Sequence, residues 1–103
     1  TVLQREGKFL KDKRIGEWKF YNTEAEVDST VNYAGGFREG TFKVFQSGKL
    51  VKEANYHIDK LQGVYKEYYL DDSLKLEGTY NKGKKTGVWK YFDKGLLLKE
   101  EVF

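Results

Sequence analysis

Residues Gly78 to Lys85 read G-x-x-x-x-G-K-K, one residue away from the phosphate-binding loop of nucleotide hydrolases. In that loop, backbone N–H groups cradle phosphates, and a Ser or Thr hydroxyl after the Lys binds magnesium. Here Lys85 stands in the hydroxyl position, and the strand-like segment GVWKYF follows where a helix is required. The residues therefore argue against a phosphate site. We expect Gly78 to pack beneath Trp89 and Gly83 to form a turn.

The other reactive side chains are equally poor candidates for chemistry. The single histidine, His57, could be written into a triad with Ser47 and Asp59, but Asp59 lies in a predicted turn and Ser47 in a predicted loop. Asp71–Asp72, or Asp93 with a neighbour, could attract a hard cation, although calcium requires about six to eight oxygen ligands. No carboxylate pair recurs in a way that indicates general acid–base catalysis. We predict no catalytic residue, no metal and no cofactor, and hence no enzyme.

The composition is typical of one small folded domain. The chain has 103 residues, of which 17% are aromatic and 34% charged, and this mixture argues against disorder. It contains no Cys, which excludes disulfides, thiolate zinc sites and cysteine nucleophiles. The 19 basic residues are spread among 16 acidic ones, so the net charge of +3 does not indicate nucleic-acid binding.

The sequence leaves the compartment open. No stretch approaches the roughly 18 consecutive apolar residues that a membrane span needs, so we predict no transmembrane segment. Because the chain begins at Thr1 rather than Met, we expect its natural start to lie upstream, where a signal peptide could have been removed. A cytoplasmic and an exported location are both consistent with these residues.

The main feature of the chain is an internal repeat of 23 or 24 residues. Each copy has an aromatic residue, Gly seven positions later, an aromatic residue two positions after the Gly, then Lys and another aromatic residue within the next three. The four copies are FLKDKRIGEWKFY (9–21), YAGGFREGTFKVF (33–45), YHIDKLQGVYKEY (56–68) and YNKGKKTGVWKYF (80–92). Such a period indicates a repeat protein. We predict one domain with units at about 3–21, 27–45, 50–68 and 74–92, and a partial unit at 96–103 that ends with the aromatic Phe103.

The repeat unit is predicted to be a β-hairpin. It is short, rich in Gly, Val and aromatic residues, and its apolar spacing fits a period of two better than 3.6. Short polar connections make successive strands neighbours. We therefore predict an all-β fold, an antiparallel meander of tandem hairpins forming either a single twisted sheet or an open curled sheet.

Turn chemistry gives a testable register. A two-residue turn is predicted midway between each leading aromatic residue and the Gly, at Asp12-Lys13, Gly36-Phe37, Asp59-Lys60 and Gly83-Lys84. This register pairs Tyr80 with Gly87. It also places a slim residue beneath a large ring in every unit: Gly7–Trp18, Val31–Phe42, Ala54–Tyr65 and Gly78–Trp89. The pairs beside these are Glu6–Lys19, Thr30–Lys43, Glu53–Lys66 and Glu77–Lys90.

One face of the predicted sheet is the candidate partner surface. Strand alternation separates the ring two residues after each Gly from the Lys and aromatic residue that follow it. A single-layer sheet cannot bury both faces, and exposed aromatic stripes mark partner sites. Packing explains each individual ring at least as well. The candidate partner-binding face consists of Lys19, Tyr21, Lys43, Phe45, Lys66, Tyr68, Lys90 and Phe92.

The repeat unit resembles the MORN-repeat variant found in many bacterial proteins, most clearly at 80–92 and in the following DKGLLLKE. Within that group the chain is similar to the YwqK-type proteins, which are described as antitoxins of toxin–antitoxin systems. The resemblance covers essentially the whole chain and implies a β-hairpin array that binds or scaffolds without catalysis. Eukaryotic relatives are associated with membrane lipids and protein partners. Here Asp12 and Asp59 replace the turn Gly, and no concentrated cationic patch accompanies the turns.

Together the residues and the resemblance favour a non-catalytic module for protein–protein interaction, with the antitoxin of a toxin–antitoxin system as its specific form. The alternative is a cell-envelope module that binds glycan or an anionic membrane through the same aromatic and Lys residues. Exposed edge strands, near Val2–Leu3 and from Leu96 to Phe103, are also expected to pair between copies.

Overall fold

The computed structural model describes residues 4–103, which form one antiparallel sheet without a helix. Its strands are β1 (Arg5–Leu10), β2 (Lys13–Tyr21), β3 (Val27–Ala34), β4 (Phe37–Gln46), β5 (Lys49–His57), β6 (Lys60–Leu61), β7 (Gly63–Tyr68), β8 (Leu74–Asn81), β9 (Lys84–Asp93) and β10 (Leu96–Val102). Apart from β6, which pairs only with β5, the strands neighbour each other in chain order. The predicted all-β hairpin meander is confirmed.

The sheet is a single open layer. Its extents are 45 × 32 × 13 Å, and the two edges are formed by β1 and β10. Of the two predicted forms, the chain therefore adopts the open single sheet rather than the curled one. The predicted edge residues Val2 and Leu3 lie outside the described residues. At the other edge, Leu96, Leu98 and Val102 are exposed as predicted. No helix in residues 4–103 is long and apolar enough to cross a membrane.

The turn inside each hairpin lies one residue earlier than predicted. In the first hairpin Leu10 pairs with Lys13, so the two turn residues are Lys11 and Asp12. Both have positive φ, as in a type I′ turn, whose twist matches that of the flanking strands. The equivalent pairs in the other hairpins are Gly35-Gly36, Ile58-Asp59 and Lys82-Gly83.

A bulge follows each of these turns and restores the predicted register. In the first hairpin Lys8 pairs with Ile15 but Glu6 pairs with Lys19, so the three residues 16–18 lie opposite Gly7 alone. The repeated glycines lie in this bulge with φ between 68° and 96°, a region that favours Gly: Gly16, Gly40, Gly63 and Gly87. The predicted pairing of Tyr80 with Gly87 is wrong, because Tyr80 pairs with Lys85 on one side and with Gly63 of the preceding unit on the other.

The core is one row of side chains running across a single face of the sheet. Trp18 lies against Val31, Phe42 against Ala54, and Tyr65 against Gly78, so large and slim residues alternate. Trp89 covers Gly78 from the other side, and a Cβ added to Gly78 would lie 2.1 Å from the Trp89 ring. Large rings therefore lie flat over slim residues, and Trp89 is only 1% exposed although no second layer covers it.

Candidate partner-binding face

Strand alternation gives the sheet two different faces. The face that carries the core row, with Trp18 and Trp89, is called the ring face. Lys19 and Lys90, which follow these residues in the chain, point to the opposite side, called the ladder face. All eight residues of the predicted partner-binding face lie on the ladder face, and all are half-exposed.

A row of residues that are all charged except Thr30 crosses the ladder face from edge to edge. Each member pairs in register with its neighbour on the next strand. The row, which we call the charge ladder, consists of Glu6, Lys19, Thr30, Lys43, Glu53, Lys66, Glu77, Lys90 and Glu100. Acidic and basic residues alternate without a break from Lys43 to Glu100. The predicted pairs Glu6–Lys19, Thr30–Lys43, Glu53–Lys66 and Glu77–Lys90 are confirmed.

The ladder charges lie side by side without closing into tight ion pairs. Within residues 4–103, the ion pairs with N–O separations up to 4 Å are Arg38–Asp59, Lys49–Asp72, His57–Glu39 and Lys99–Glu101. None of these belongs to the charge ladder. The Lys and Glu residues of the charge ladder are half-exposed or exposed, so their charges face solvent.

A second row on the ladder face is aromatic and aliphatic. The last aromatic residue of each unit pairs with an aliphatic residue that begins the next unit: Tyr21–Val27, Phe45–Leu50, Tyr68–Leu74 and Phe92–Leu97. We call these eight residues the apolar row. At its first position the Tyr21 hydroxyl donates a hydrogen bond to Glu6, and this bond raises the pKa of Tyr21. The hydrogen bond links the apolar row to the charge ladder.

A third row, on the other side of the charge ladder, differs between the two halves of the sheet. Toward the N terminus Glu17 pairs with Asn32, and the Asn32 side chain donates to the Thr41 carbonyl at 2.9 Å. Toward the C terminus this row consists of Val64, Thr79, Val88 and Val102. The three valines are 51%, 45% and 79% exposed, so the C-terminal half of the ladder face is the more apolar half.

Sequence reasoning missed the aliphatic members of the apolar row and the ladder residue Glu100. The missing signal was the pairing between units, since only pairs within a hairpin were considered. Extending the register across the turn at Lys94-Gly95 pairs Leu97 with Phe92, and a bulge at Leu98 then brings Glu100 opposite Lys90.

The aromatic rings of the ring face pack against one another around the buried tryptophans. The Trp89 ring contacts Tyr65, Tyr80 and Phe103, with centroid distances of 5.6, 5.1 and 6.3 Å. The Lys85 ammonium covers it at 4.7 Å from the centroid. Burial raises the pKa of the Tyr65 and Tyr80 hydroxyls, as expected where neighbouring rings exclude water.

Bulge carbonyls on the ring face are satisfied by the tryptophans. Trp18 Nε1 donates to the Lys8 carbonyl at 3.1 Å, and Trp89 Nε1 donates to the Thr79 carbonyl at 3.2 Å. Each Trp thus covers a glycine and also supplies the hydrogen bond that the bulge removes from the ladder of backbone pairs.

The residues considered for catalysis do not come together. Ser47 precedes β5 and His57 ends it, so about 30 Å of extended strand separates them. His57 Nδ1 lies 2.9 Å from Glu39 Oε2 instead. Asp71 accepts hydrogen bonds from the N–H and hydroxyl of Ser73, which lower its pKa. Residues 4–103 contain no cluster of three or more His, Asp or Glu side chains suited to a metal ion.

No family model matches the sequence, and no curated protein matches it. Two crystal structures of TarM are similar in fold. One is a variant of S. aureus TarM in complex with fondaparinux, alpha-GlcNAc-glycerol and UDP, with a TM-score of 0.57 and 13% identity. The other, of TarM, has a TM-score of 0.56 and 12% identity. Each match covers 84% of this chain but only 18% of the TarM chain, and at such identity the likeness shows the fold alone.

Proposed function

We propose that this chain is a non-catalytic repeat module that binds another protein through its ladder face. The observation that carries the proposal is the contrast in burial between the faces. On the ring face Trp18 and Trp89 are 3% and 1% exposed, whereas no aromatic ring of the ladder face in residues 4–103 is buried, and Tyr68 and Phe92 are half-exposed. Exposed rows of aromatic and apolar residues are typical of protein interfaces.

The resemblance to the YwqK-type proteins directs the proposal to one class of partner, a protein toxin. An antitoxin of this kind neutralises its partner by covering it and requires no chemistry of its own. The separation of His57 from Ser47 is consistent with a module that binds rather than catalyses.

The experiment is a pull-down with the product of the adjacent gene as prey. The variant Lys66→Glu with Tyr68→Ala removes one charge and one ring from the centre of the ladder face. We expect capture to fall by at least about tenfold, since hot-spot aromatic and charged residues contribute about 2 kcal/mol or more. The matched control is Lys52→Glu, which makes the same charge change on a half-exposed lysine of the ring face, beside Tyr65. Undiminished capture by the double variant would remove the ladder face from the proposal.

A glycan or an anionic membrane surface is the other ligand class considered for these residues. The acidic members of the charge ladder weigh against an anionic membrane, because Glu53, Glu77 and Glu100 separate the lysines. Co-sedimentation with anionic liposomes and with cell-wall glycan, over a salt series, distinguishes the two from protein binding. Salt-sensitive binding to liposomes, or retention on glycan, would replace the protein-binding proposal.

A further inference from the structure

In the C-terminal two-thirds of the sheet, the charges of the charge ladder alternate in a regular pattern. From Lys43 to Glu100 it reads Lys, Glu, Lys, Glu, Lys, Glu over six adjacent strands. Reversing the order of this row exchanges every Lys for a Glu. A surface with this property is complementary to itself when it is turned about an axis parallel to the strands.

We propose that the partner which fits the ladder face is a second copy of this chain, packed face to face about a two-fold axis between β7 and β8. This inference rests on the proposed function, in which the ladder face binds a protein, and a toxin partner would compete with the second copy for this face. The axis places Lys66 over Glu77 of the second copy, and Glu53 over Lys90 of the second copy. At the rim Lys43 lies over Glu100. A two-fold axis perpendicular to the strands would instead place each Lys over a Lys.

The same axis also matches the apolar row of the ladder face. A rotation about an axis parallel to the strands leaves each row at its own height along the strands. The apolar row therefore meets the apolar row of the second copy, whereas in the third row Val64 lies over Thr79 and Val88 lies over Asn55 of the second copy. Packed sheets lie about 10 Å apart, a gap that one Lys and one Glu side chain span end to end.

The overlap is large enough for a stable dimer. Six strands spaced about 4.8 Å apart, over the 32 Å extent of the sheet, give a contact of about 900 Å² per copy. Specific interfaces bury about 800 Å² per partner. The strands β1, β2 and β3 overhang this contact.

Thr30 fixes the position of the axis. Moving the axis by one strand toward the N terminus would place Thr30 over Lys90 of the second copy and leave that ammonium group unpaired. The proposed axis gives the longest overlap in which every Lys faces a Glu. Lys19, on the N-terminal side of Thr30, then lies outside the interface.

The test is sedimentation velocity of the full chain at low ionic strength over about a hundredfold range of concentration. We expect a concentration-dependent shift from monomer to dimer that weakens as salt is added. Lys66→Glu places two like-charged pairs at the axis and should weaken dimerisation by at least about tenfold. Lys19→Glu, the matched control, should leave the dimer unchanged.

The variant Lys66→Glu with Glu77→Lys provides the rescue. Like the single variant, it has two like-charged neighbour pairs within the chain, but it restores opposite charges across the axis. Dimerisation should return to near the wild-type level, while circular dichroism melts confirm that each variant is folded. A wild-type chain that stays monomeric, equal weakening by Lys19→Glu, or no rescue would overturn the proposed dimer. Loss of prey capture by Lys66→Glu with Tyr68→Ala in a monomeric protein would still support the proposed function.

Discussion

The two faces of the sheet are built by the same strands but are stabilised in different ways. On the ring face Trp18 and Trp89 are 3% and 1% exposed, although no second layer lies above them. On the ladder face the next residues along the chain, Lys19 and Lys90, are half-exposed and pair only with their cross-strand neighbours. A single layer can thus form a core when its rings lie flat over glycines, and the opposite face then keeps its charged and aromatic side chains half-exposed.

The glycines show the same division at the level of the backbone. Gly78 has no unusual φ and is required because the Trp89 ring occupies the place of its side chain. Gly87 has open space around it but a φ of 70°, so it is required for its conformation. One glycine serves the packing of the ring face, and the other serves the bulge that both faces share.

The substitution Gly78→Ala tests the ring face with the smallest possible side chain. The added methyl carbon would lie 2.1 Å from Trp89 Cδ2, and the ring can move only by losing its contacts with Tyr65 and Tyr80. We expect a loss of about 3 kcal/mol in the free energy of unfolding, measured by urea denaturation.

Glu77→Ala, at the neighbouring residue on the ladder face, is the matched control. It removes cross-strand pairs with Lys66 and Lys90 and should cost no more than about 1 kcal/mol. If both substitutions destabilise the protein equally, the two faces contribute alike and the contrast drawn above is wrong.

The fold and the contents of the ladder face could be predicted because the repeat fixes both. Four copies of one pattern identify the hairpins, and period-two alternation assigns Lys66 and Tyr68 to the same face. The position of the turn could not be read from single residues. Type I′ turns need positive φ at two positions, and Lys11 and Ile58 at the first position give no signal of it.

Two register errors compensate for each other. The earlier turn shifts the pairing by two residues, and the bulge that contains Gly87 shifts it back. The predicted pair Glu77–Lys90 is therefore correct although Tyr80–Gly87 is not. The sequence also could not predict whether the sheet curls. The alternation of side chains determines which residues share a face, but it does not determine the twist between strands.

The turn inside each hairpin connects two strands that both contribute to the two faces. In the third hairpin this turn contains a residue with an unfavourable backbone conformation. Ile58 has a φ of 47°, where the branched Cβ of isoleucine is unfavourable. Ile58→Asn should raise the free energy of unfolding by about 1 kcal/mol, because Asn tolerates this region and the backbone N–H can still donate to Glu39. Lys82→Asn, at the equivalent position of the fourth hairpin, should raise it less, since Lys is unbranched at Cβ. Thermal melts of both variants provide the measurement, and a less stable Ile58→Asn protein would refute the strain.

The smallest effect expected is a pH dependence of stability that arises at the turns inside the hairpins, away from the packed rings and the charge ladder. Hydrogen bonds from His57 and the Ile58 N–H lower the pKa of Glu39, and those from the Arg38 backbone and side chain lower the pKa of Asp59. The folded-state pKa values of Glu39 and Asp59 lie below their ordinary values of 4.5 and 3.8. The stabilisation from these two carboxylates is therefore complete above the ordinary pKa values and is lost as the pH falls through the folded-state pKa values. Melting temperatures measured from pH 6 to pH 2 should therefore fall less steeply for Glu39→Gln than for the wild type. Glu17→Gln, at an exposed carboxylate of β2, should follow the wild-type curve. Parallel curves for Glu39→Gln and the wild type would show that these turn contacts contribute nothing, and that only the two faces hold the sheet together.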